Sequence, residues 1–439
     1  MAYGRLCDHP AEVLSGTRFM NIVIVGGGIG GLTLALAVHA SVPTSRIRIF
    51  EAASDIRALG VGINLGPHAV KELSALGLEE ALVAVACAPQ DYAFFTRHGQ
   101  LVYREPWGRA AGHQWPHLSI HRGDLHQVLL DAVRTRIGPQ NFTTGHRCIA
   151  VEQDENSVTA RFIGPDGATL AAERGDILIG CDGVHSVVRS QFHPNEASFC
   201  YRGINLWRGV TRWKPFLAGR SIARIGARHS TLITYPIRDN IDAAGNQLIN
   251  WVAEIEREVA VPVDWNKRGR LEDFYPTYQD WSFDWLDAAA MIRNADLILS
   301  YPMVDRDPLD RWTFGRVTLL GDAAHPMYPQ GGNGGAQAIV DAATLGRLLR
   351  SEPDPVAALK SYEAQRLPVT GRIVLQNRSA PPNVIVDTVE QRTGGRRFEH
   401  LEDIITQDEL RAIFQRYQKV AGYHVDQVGR SQRQGEGSG

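Results

Sequence analysis

Three glycines near the start of the chain, Gly26, Gly28 and Gly31, follow the pattern G-x-G-x-x-G. Glycines at this spacing permit a tight turn, let the backbone approach a pyrophosphate and allow a helix to pack closely. Glu51 follows about 20 residues after the last glycine, where an acidic side chain binds ribose hydroxyls. These residues predict a dinucleotide site, for FAD or for NAD, and they do not choose between the two.

A strand, a turn and a helix must position these glycines. Residues 21–31 read NIVIVGGGIGG, a β-branched run typical of a buried parallel strand that ends in glycines. Apolar residues at helical spacing follow, and a second strand, Arg46–Phe50, ends beside Glu51. The helix N-terminus then faces the phosphates with the positive end of its dipole. No second strand-linked G-x-G-x-x-G occurs in the sequence, which favours one resident dinucleotide and transient binding of a nicotinamide.

Three further segments combine an apolar strand or a loop with polar and glycine-rich turns. They are CDGVHSVVR at 181–189, RVTLLGDAAHP at 316–326, and PQGGNGGAQAIVD at 329–341, a glycine loop that turns helical at Ala336. Together with the first glycine turn, these motifs stand in the order found in the group A flavoprotein monooxygenases. The chain resembles that family, which includes p-hydroxybenzoate hydroxylase and salicylate hydroxylase.

The resemblance implies roles for single residues in these segments. Asp182, Gly183 and Arg189 correspond to a motif near the FAD and the path of the nicotinamide pyrophosphate. Asp322 corresponds to the family's aspartate that hydrogen-bonds the ribityl chain, which makes it the strongest single cofactor residue.

The glycine loop is expected to face the flavin pyrimidine ring, where negative charge accumulates on reduction. The backbone contacts implied by the resemblance come from Gly332, Asn333 and Gly334. Family members often carry Gly-Gln-Gly or Gly-Ala-Gly here, so the resemblance gives no basis for assigning a role to the Asn333 side chain.

Two additional stretches match a subgroup of the family: GVGINL at 60–65 and SIHRGDL at 119–125, in which Arg122 reaches the FAD from the start of a helix. With LWRGV at 206–210, VDWN at 263–266 and YPMVDRDPL at 301–309, the motifs are most similar to the 5-methylphenazine-1-carboxylate 1-monooxygenase subgroup. The similarity implies a planar aromatic or heteroaromatic substrate.

The resemblance implies an FAD-dependent monooxygenase that uses NAD(P)H and O2, and that hydroxylates an electron-rich aromatic small molecule through a C4a-hydroperoxyflavin. Decarboxylative hydroxylation, epoxidation and ring-cleaving oxygenation by the same fold remain alternatives, and so does a flavin-dependent dehydrogenase or reductase. Such chemistry requires a closed, apolar pocket that excludes water.

The expected fold is α/β. A Rossmann-like FAD-binding domain, 20–90, 106–199 and 306–395, interleaves with an α+β substrate domain, 91–105 and 200–305, built on an antiparallel sheet. The predicted sheet contains the hairpin 92–96 and 101–105 and the strands 231–237, 247–255 and 297–304. A C-terminal helical segment, 396–430, and flexible ends, 1–19 and 431–439, complete the chain.

Candidate substrate contacts lie in the substrate domain and the glycine loop. We predict Trp207, Tyr235 and Pro329 at the pocket, with Tyr235 hydrogen-bonded to a phenolic or ring-heteroatom group. Strand alternation sends Trp207 and Arg208 to opposite faces, and we place Trp207 inward and Arg208 as a structural or interdomain residue. Arg224 is an alternative partner for a substrate carboxylate.

Composition narrows the class of protein further. A formal net charge of −2 argues against nucleic acid as a partner. The five cysteines show no metal-ligand spacing, His68, His121 and His185 form no metal cluster by spacing, and we expect His325 to cap backbone groups. No apolar run is long enough for a membrane span, so a cytoplasmic location is expected. The protein is expected to be a monomer or a homodimer.

Overall fold

The computed structural model describes residues 19–56, 60–264, 267–379, 383–422 and 424–428. The predicted flexible ends lie outside the described residues, apart from Phe19, and so do Trp265 and Asn266 of the VDWN motif. Among the described residues, no helix has the length and apolar content needed to cross a bilayer.

Strands occur along most of the described chain up to residue 319. In order they are β1 Asn21–Val25, β2 Arg46–Phe50, β3 Gly62–Leu65, β4 Ala86–Cys87, β5 Asp91–Phe95, β6 Leu101–Pro106, β7 Leu118–His121, β8 Phe142–Thr143, β9 Arg147–Gln153, β10 Val158–Ile163, β11 Glu173–Gly175, β12 Ile177–Gly180, β13 Cys200–Trp213, β14 Ser221–Ile225, β15 Ser230–Arg238, β16 Gln247–Glu256, β17 Ser282–Phe283, β18 Leu286–Asp287, β19 Leu297–Asp305 and β20 Val317–Leu319.

Helices separate the strands and form the C-terminal part of the chain. In order they are α1 Ile29–Ser41, α2 Pro67–Ala75, α3 Glu79–Val83, α4 Arg122–Arg136, α5 Val187–Phe192, α6 Ala288–Arg293, α7 Gly334–Ser351, α8 Pro355–Ser379, α9 Val384–Thr393 and α10 Gln407–Ala421.

The first domain is built on a parallel sheet with the strand order β20-β12-β1-β2-β8. Its central strands are buried on both faces, which is why their sequences are continuous apolar runs. Helices α1 and α7 pack against each other beside this sheet. The predicted strand, turn, helix and second strand are therefore confirmed, and β2 has the predicted bounds.

The second domain is built on a larger sheet with the order β19-β13-β16-β15-β14-β5-β6. All its neighbouring strands are antiparallel except β14 and β5, which pair in parallel. These two strands are distant in sequence, so no hairpin fixes their relative direction. The sheet and the parallel sheet of the first domain confirm the predicted α/β fold class, with the two parts interleaved along the chain.

The two faces of the larger sheet differ in chemistry. The polar face carries polar side chains among apolar ones: Arg208 is half-buried, and the buried ones are Arg224, Tyr235, Asn250, Glu254 and Tyr301. The apolar face carries Trp207, Leu232, Trp251 and Ala253, which pack under residues 271–292. Successive strand residues alternate between these faces.

The C-terminal helical segment closes one end of the polar face. The predicted helical pattern from Leu401 is divided in the structure into a short 3-10 turn and α10, because the Thr406 hydroxyl caps α10 by accepting from Glu409 N–H at 3.2 Å. Side chains of α9 and α10, including Phe414, pack on the hairpin of β5 and β6. The proposed residue boundaries of the domains stay a prediction.

Candidate cofactor and substrate site

The first glycine turn is closed by direct backbone contacts. A Cβ atom at Gly26, which has φ +107°, would lie 2.2 Å from the Cys181 carbonyl oxygen, and one at Gly31 would lie 2.0 Å from the Gly26 carbonyl oxygen. A Cβ atom at Gly28 would have no neighbour within 4 Å. Gly26 and Gly31 are thus required for packing. Gly28 leaves an open surface in front of the N-terminus of α1, where a pyrophosphate can approach.

Glu51 lies beside this turn at the end of β2. Its Oε2 accepts a hydrogen bond from Gly27 N–H at 2.8 Å, and its Oε1 accepts one from Ala53 N–H at 2.8 Å. Each carboxylate oxygen can accept a further hydrogen bond. The side chain is therefore held in place with acceptor capacity remaining, while its role as a ribose ligand stays a prediction.

Asp322, Arg122 and Gly334 converge where β20 ends and α4 and α7 begin. A Cβ atom at Gly334 would lie 3.8 Å from Asp322 Oδ1. Asp322 is exposed to solvent, yet desolvation by the protein packed around its carboxyl group raises the pKa of that group, whereas the charges of His325 and Arg122 act in the opposite direction. Helix α7 begins at Gly334, two residues before the predicted start, so the glycine loop leads directly to a helix N-terminus.

The Asp182 side chain makes hydrogen bonds within the turn that contains it. Asp182 accepts hydrogen bonds from the Ser186 hydroxyl at 2.5 Å and from Val187 N–H at 2.8 Å, and so supports Ser186, the N-cap residue of α5. Buried Arg189 donates to the carbonyl oxygens of Ala323 and Ala324, at 3.0 and 2.9 Å. Arg189 thereby fixes the turn that carries Asp322, and any contact of Asp182 with FAD stays a prediction.

Strand β3 docks on the polar face through Gly62. The Tyr235 hydroxyl and Arg208 Nη2 both donate to the Gly62 carbonyl oxygen, at 3.0 and 2.6 Å, and Gly62 N–H donates to Asn250 Oδ1 at 2.7 Å. Arg208 Nη1 also donates to the Tyr301 hydroxyl at 3.1 Å. Burial raises the pKa of Tyr235 to about 12, so Tyr235 is a neutral hydrogen-bond donor at physiological pH.

Trp207 does not join this group, and the predicted orientation of Trp207 and Arg208 is reversed in the structure. Trp207 lies on the apolar face, where its ring stacks on Phe274 with the ring centroids 5.2 Å apart. The aromatic cover supplied by residues 271–292 explains this choice, because it offers a large side chain a complete apolar environment. Arg208 instead shares a face with Tyr235, although its bond to Gly62 is the interdomain contact expected of it.

The glycine loop meets the other end of the polar face. Gln330, next to exposed Pro329, hydrogen-bonds Glu254, which also pairs with Arg224 at 3.1 Å. Burial raises the pKa of Glu254, and Arg224 and Gln330 oppose that rise. Glu254, Gln330 and Asn250 were not predicted from the sequence, although a glutamate and an asparagine within the apolar run INWVAEI were a usable signal.

Comparison with known proteins identifies the cofactor of this site and the family of this chain. A model of the FAD binding domain family matches residues 20–377. The chain belongs to this family. It is 44% identical to phenazine 1,6-dicarboxylic acid hydroxylase of Lysobacter antibioticus over 82% of this chain and 89% of that relative. It is 33% identical to 3-hydroxybenzoate 6-hydroxylase of Polaromonas naphthalenivorans, over 85% and 88% of the two chains.

Solved structures of FAD-dependent proteins share the fold. Klebsiella pneumoniae HpxO, complexed with FAD and uric acid, superimposes with a TM-score of 0.71 at 23% identity, over 93% of this chain and 96% of that one. The family match and the relatives make this chain an FAD-dependent monooxygenase that hydroxylates aromatic compounds. The open surface at Gly28 and the free acceptor capacity of Glu51 fit the pyrophosphate and ribose of FAD.

A buried polar network supports two segments near Asp322 in this flavoprotein. One is the turn that follows β20 and contains His325, and the other is the glycine loop. His325 Nε2 lies 2.6 Å from Asp341 Oδ2, and Arg366 Nε donates to Asp341 Oδ1 at 2.6 Å. His325 therefore pairs with a carboxylate through Nε2, while its buried Nδ1 has no hydrogen-bond partner among the described residues, so it does not cap backbone groups as predicted. The charges of His325 and Arg366 outweigh burial and lower the pKa of Asp341.

The same network continues to the glycine loop. Arg366 donates to Gln337 Oε1, Gln337 Nε2 donates to Asn333 Oδ1 at 3.2 Å, and His68 Nε2 lies 3.1 Å from the same Asn333 oxygen. Asn333 thus has a side-chain role that the sequence left unassigned, and this role is to fix the loop. Burial lowers the pKa of His68 to about 4, so His68 is neutral at physiological pH. Among the described residues, no group of three or more His, Cys, Asp or Glu side chains is suited to hold a metal ion.

Proposed function

We propose that this monooxygenase hydroxylates a planar aromatic carboxylate that binds between the polar face and the glycine loop. The proposal rests on the state of the Arg208 guanidinium group. Its Nε atom is buried and has no hydrogen-bond acceptor among the described residues. A buried charged donor without an acceptor costs free energy, and a carboxylate oxygen would satisfy it.

The substrates named for the relatives support the same chemistry. Phenazine 1,6-dicarboxylic acid, 3-hydroxybenzoate and 6-hydroxynicotinate are all ring carboxylates. Tyr235 would orient the ring through its neutral hydroxyl group, and Pro329 would contact the ring from the loop. The buried position of Tyr235 helps to exclude water from the reacting ring, which oxygen transfer to carbon requires.

On the cofactor side, we propose that Gly26, Gly28, Gly31 and Glu51 bind the ADP part of FAD. Arg122, Asp182, Asp322 and the loop Gly332–Gly334 would bind the remainder. Bound FAD supplies the redox chemistry that activates oxygen. NAD(P)H is proposed to bind transiently as reductant, and the oligomeric state and cytoplasmic location stay predictions.

The test uses purified holoenzyme and pairs of ring acids with their neutral amides, such as 3-hydroxybenzoate and 3-hydroxybenzamide, or phenazine-1-carboxylate and its amide. NADH and NADPH oxidation, oxygen uptake, hydrogen peroxide and hydroxylated product are measured together. We expect acids to stimulate oxidation that is coupled to product, and amides to do so at least about tenfold less well. Equal responses to acids and amides would refute carboxylate recognition, and peroxide without product from every ring would favour a flavin reductase.

A further inference from the structure

Four side chains form one row across the polar face of the larger sheet. Arg208 pairs with Val252, Val252 with Ile233, and Ile233 with Arg224, on the adjacent strands β13, β16, β15 and β14. Residues directly opposite each other on neighbouring strands point to the same face. Three inter-strand spacings separate the two arginine Cα atoms by about 14 Å.

The centre of the row is not completely covered by protein. Ile233 and Val252 each keep 9% of their surface exposed, whereas Leu232 and Ala253, their neighbours on the apolar face, are 0% exposed. Two branched apolar side chains side by side provide a surface on which a flat ring system can lie. The row therefore has an apolar centre and an arginine at each end, and the arginine at the Arg224 end is paired with Glu254.

Elements of the flavin domain face both ends of the row. At one end Arg208 donates to the Gly62 carbonyl oxygen. At the other end Glu254, the partner of Arg224, hydrogen-bonds Gln330 of the glycine loop. The row thus spans the space between the sheet and the part of the chain that holds FAD.

Arg224, like Arg208, has a buried Nε atom that donates no hydrogen bond within the described part of the chain. Its Nη2 donates to Glu254 at 3.1 Å and to Asn383 Oδ1 at 2.6 Å, but its buried Nε has no acceptor among the residues that the structure describes. The side chain is 2% exposed, so bulk water does not satisfy this donor.

We propose that Arg224 is a second anion anchor opposite Arg208, and that the site takes a fused-ring aromatic dicarboxylate whose two carboxylates lie at the two ends of the row. The proposal rests on the proposed function, since it adds a second contact to the same substrate. A three-ring fused system spans more of the distance of about 14 Å between the two arginine Cα atoms than a single ring does.

The test compares binding of phenazine-1,6-dicarboxylate and phenazine-1-carboxylate to the FAD-loaded enzyme, followed by the change that each causes in the flavin absorbance spectrum. The variant is the double substitution Arg224→Gln with Glu254→Gln, which removes the buried pair without leaving one charge uncompensated. In the parent enzyme we expect the dicarboxylate to bind about tenfold more tightly than the monocarboxylate. In the double variant we expect this preference to fall to about twofold or less, because the dicarboxylate loses its second contact.

The matched control is the double substitution Arg212→Gln with Asp242→Asn. Arg212 lies on β13, as Arg208 does, and pairs with Asp242. Its side chain is 60% exposed, whereas Arg224 is buried. This control should keep the dicarboxylate preference. The second anchor would be refuted if the parent bound both acids equally, if the Arg224 and Glu254 variant kept the preference, or if the control lost it. Failure of both acids to bind would instead contradict the proposed function.

Discussion

The cofactor side and the substrate side of this monooxygenase are built in different ways. On the cofactor side, the surface is mostly backbone: Gly28 leaves open space in front of a helix, and Gly334 starts a second helix next to Asp322. On the substrate side, the surface is made of side chains from strands that are far apart in sequence, such as Arg208 and Tyr235. A backbone site depends on a short local motif, whereas a side-chain site depends on the register of a whole sheet.

The largest expected effect separates two glycines of the same motif. Gly31→Ala should prevent formation of folded holoenzyme, because the new Cβ atom would meet the Gly26 carbonyl oxygen at 2.0 Å. Gly28→Ala should fold normally but bind FAD more weakly, because its methyl group would stand where the pyrophosphate approaches. Soluble yield, circular dichroism and flavin content measure both effects. Parent-like FAD affinity in Gly28→Ala would contradict the assigned approach.

The buried network behind the glycine loop should matter more for stability than any exposed ion pair. Asp341→Asn breaks the pairs with His325 and Arg366, so we expect the free energy of unfolding to fall by about 3–5 kcal/mol. As a control, Asp408→Asn removes an exposed pair with Arg411 and should cost less than about 1 kcal/mol. Denaturant unfolding at neutral pH measures both values.

The same pair of variants gives a pH test. Because the ion pairs lower the pKa of Asp341 in the folded protein, its stabilising effect is complete above the unfolded-state pKa and is lost as the pH falls through the folded-state pKa. The stability difference between the parent and Asp341→Asn should therefore shrink below about pH 4. A difference that grows on acidification would show that the carboxylate is not the stabilising form.

A smaller effect is expected from a single polar contact on the cofactor side. Asp322→Ala should raise the dissociation constant for FAD by about 10–100-fold, the range for one hydrogen bond to a charged group. Exposed Asp310→Ala is the control in the same part of the chain. Fluorescence titration of the apoprotein with FAD measures the affinity. If Asp322→Ala bound FAD like the parent, the proposed ribityl contact would have to be abandoned.

The smallest effect compares the two faces of the sheet. Tyr235→Phe removes the hydrogen bond to the Gly62 carbonyl oxygen, which is worth about 1 kcal/mol, and should lower the fraction of oxidised NADH that yields hydroxylated product. Trp207→Phe should keep that fraction, because Trp207 packs on the apolar face against Phe274. The ratio of product to NADH consumed distinguishes them, and the opposite pattern would restore Trp207 to the pocket.

Local sequence patterns predicted much of the fold. β1, α1 and β2 follow from one buried apolar run, one glycine turn and one alternating run, and all three were found where expected. The division of the C-terminal pattern at Thr406 was not predicted, because the apolar spacing continues across the residues that interrupt the helix. The parallel pairing of β5 with β14 was also missed, since no local signal fixes how distant strands meet.

The polar residues around the site were harder to predict than its glycines. Asp341, Arg366 and Gln337 lie on two helices and acquire their function only where those helices pack. Each one, taken alone in the sequence, is compatible with a solvated helix surface. Only the contact between the helices shows that they form a single buried network.

The sequence alone determined the cofactor fold, because a glycine turn, its flanking strand and its helix are neighbours in the chain and their geometry is set by local backbone constraints. It also determined that Trp207 and Arg208 lie on opposite faces, since side chains alternate along a strand. Only the tertiary structure decided which of them meets Gly62. That choice depends on what covers each face: the aromatic residues of 271–292 cover one, and the flavin domain covers the other.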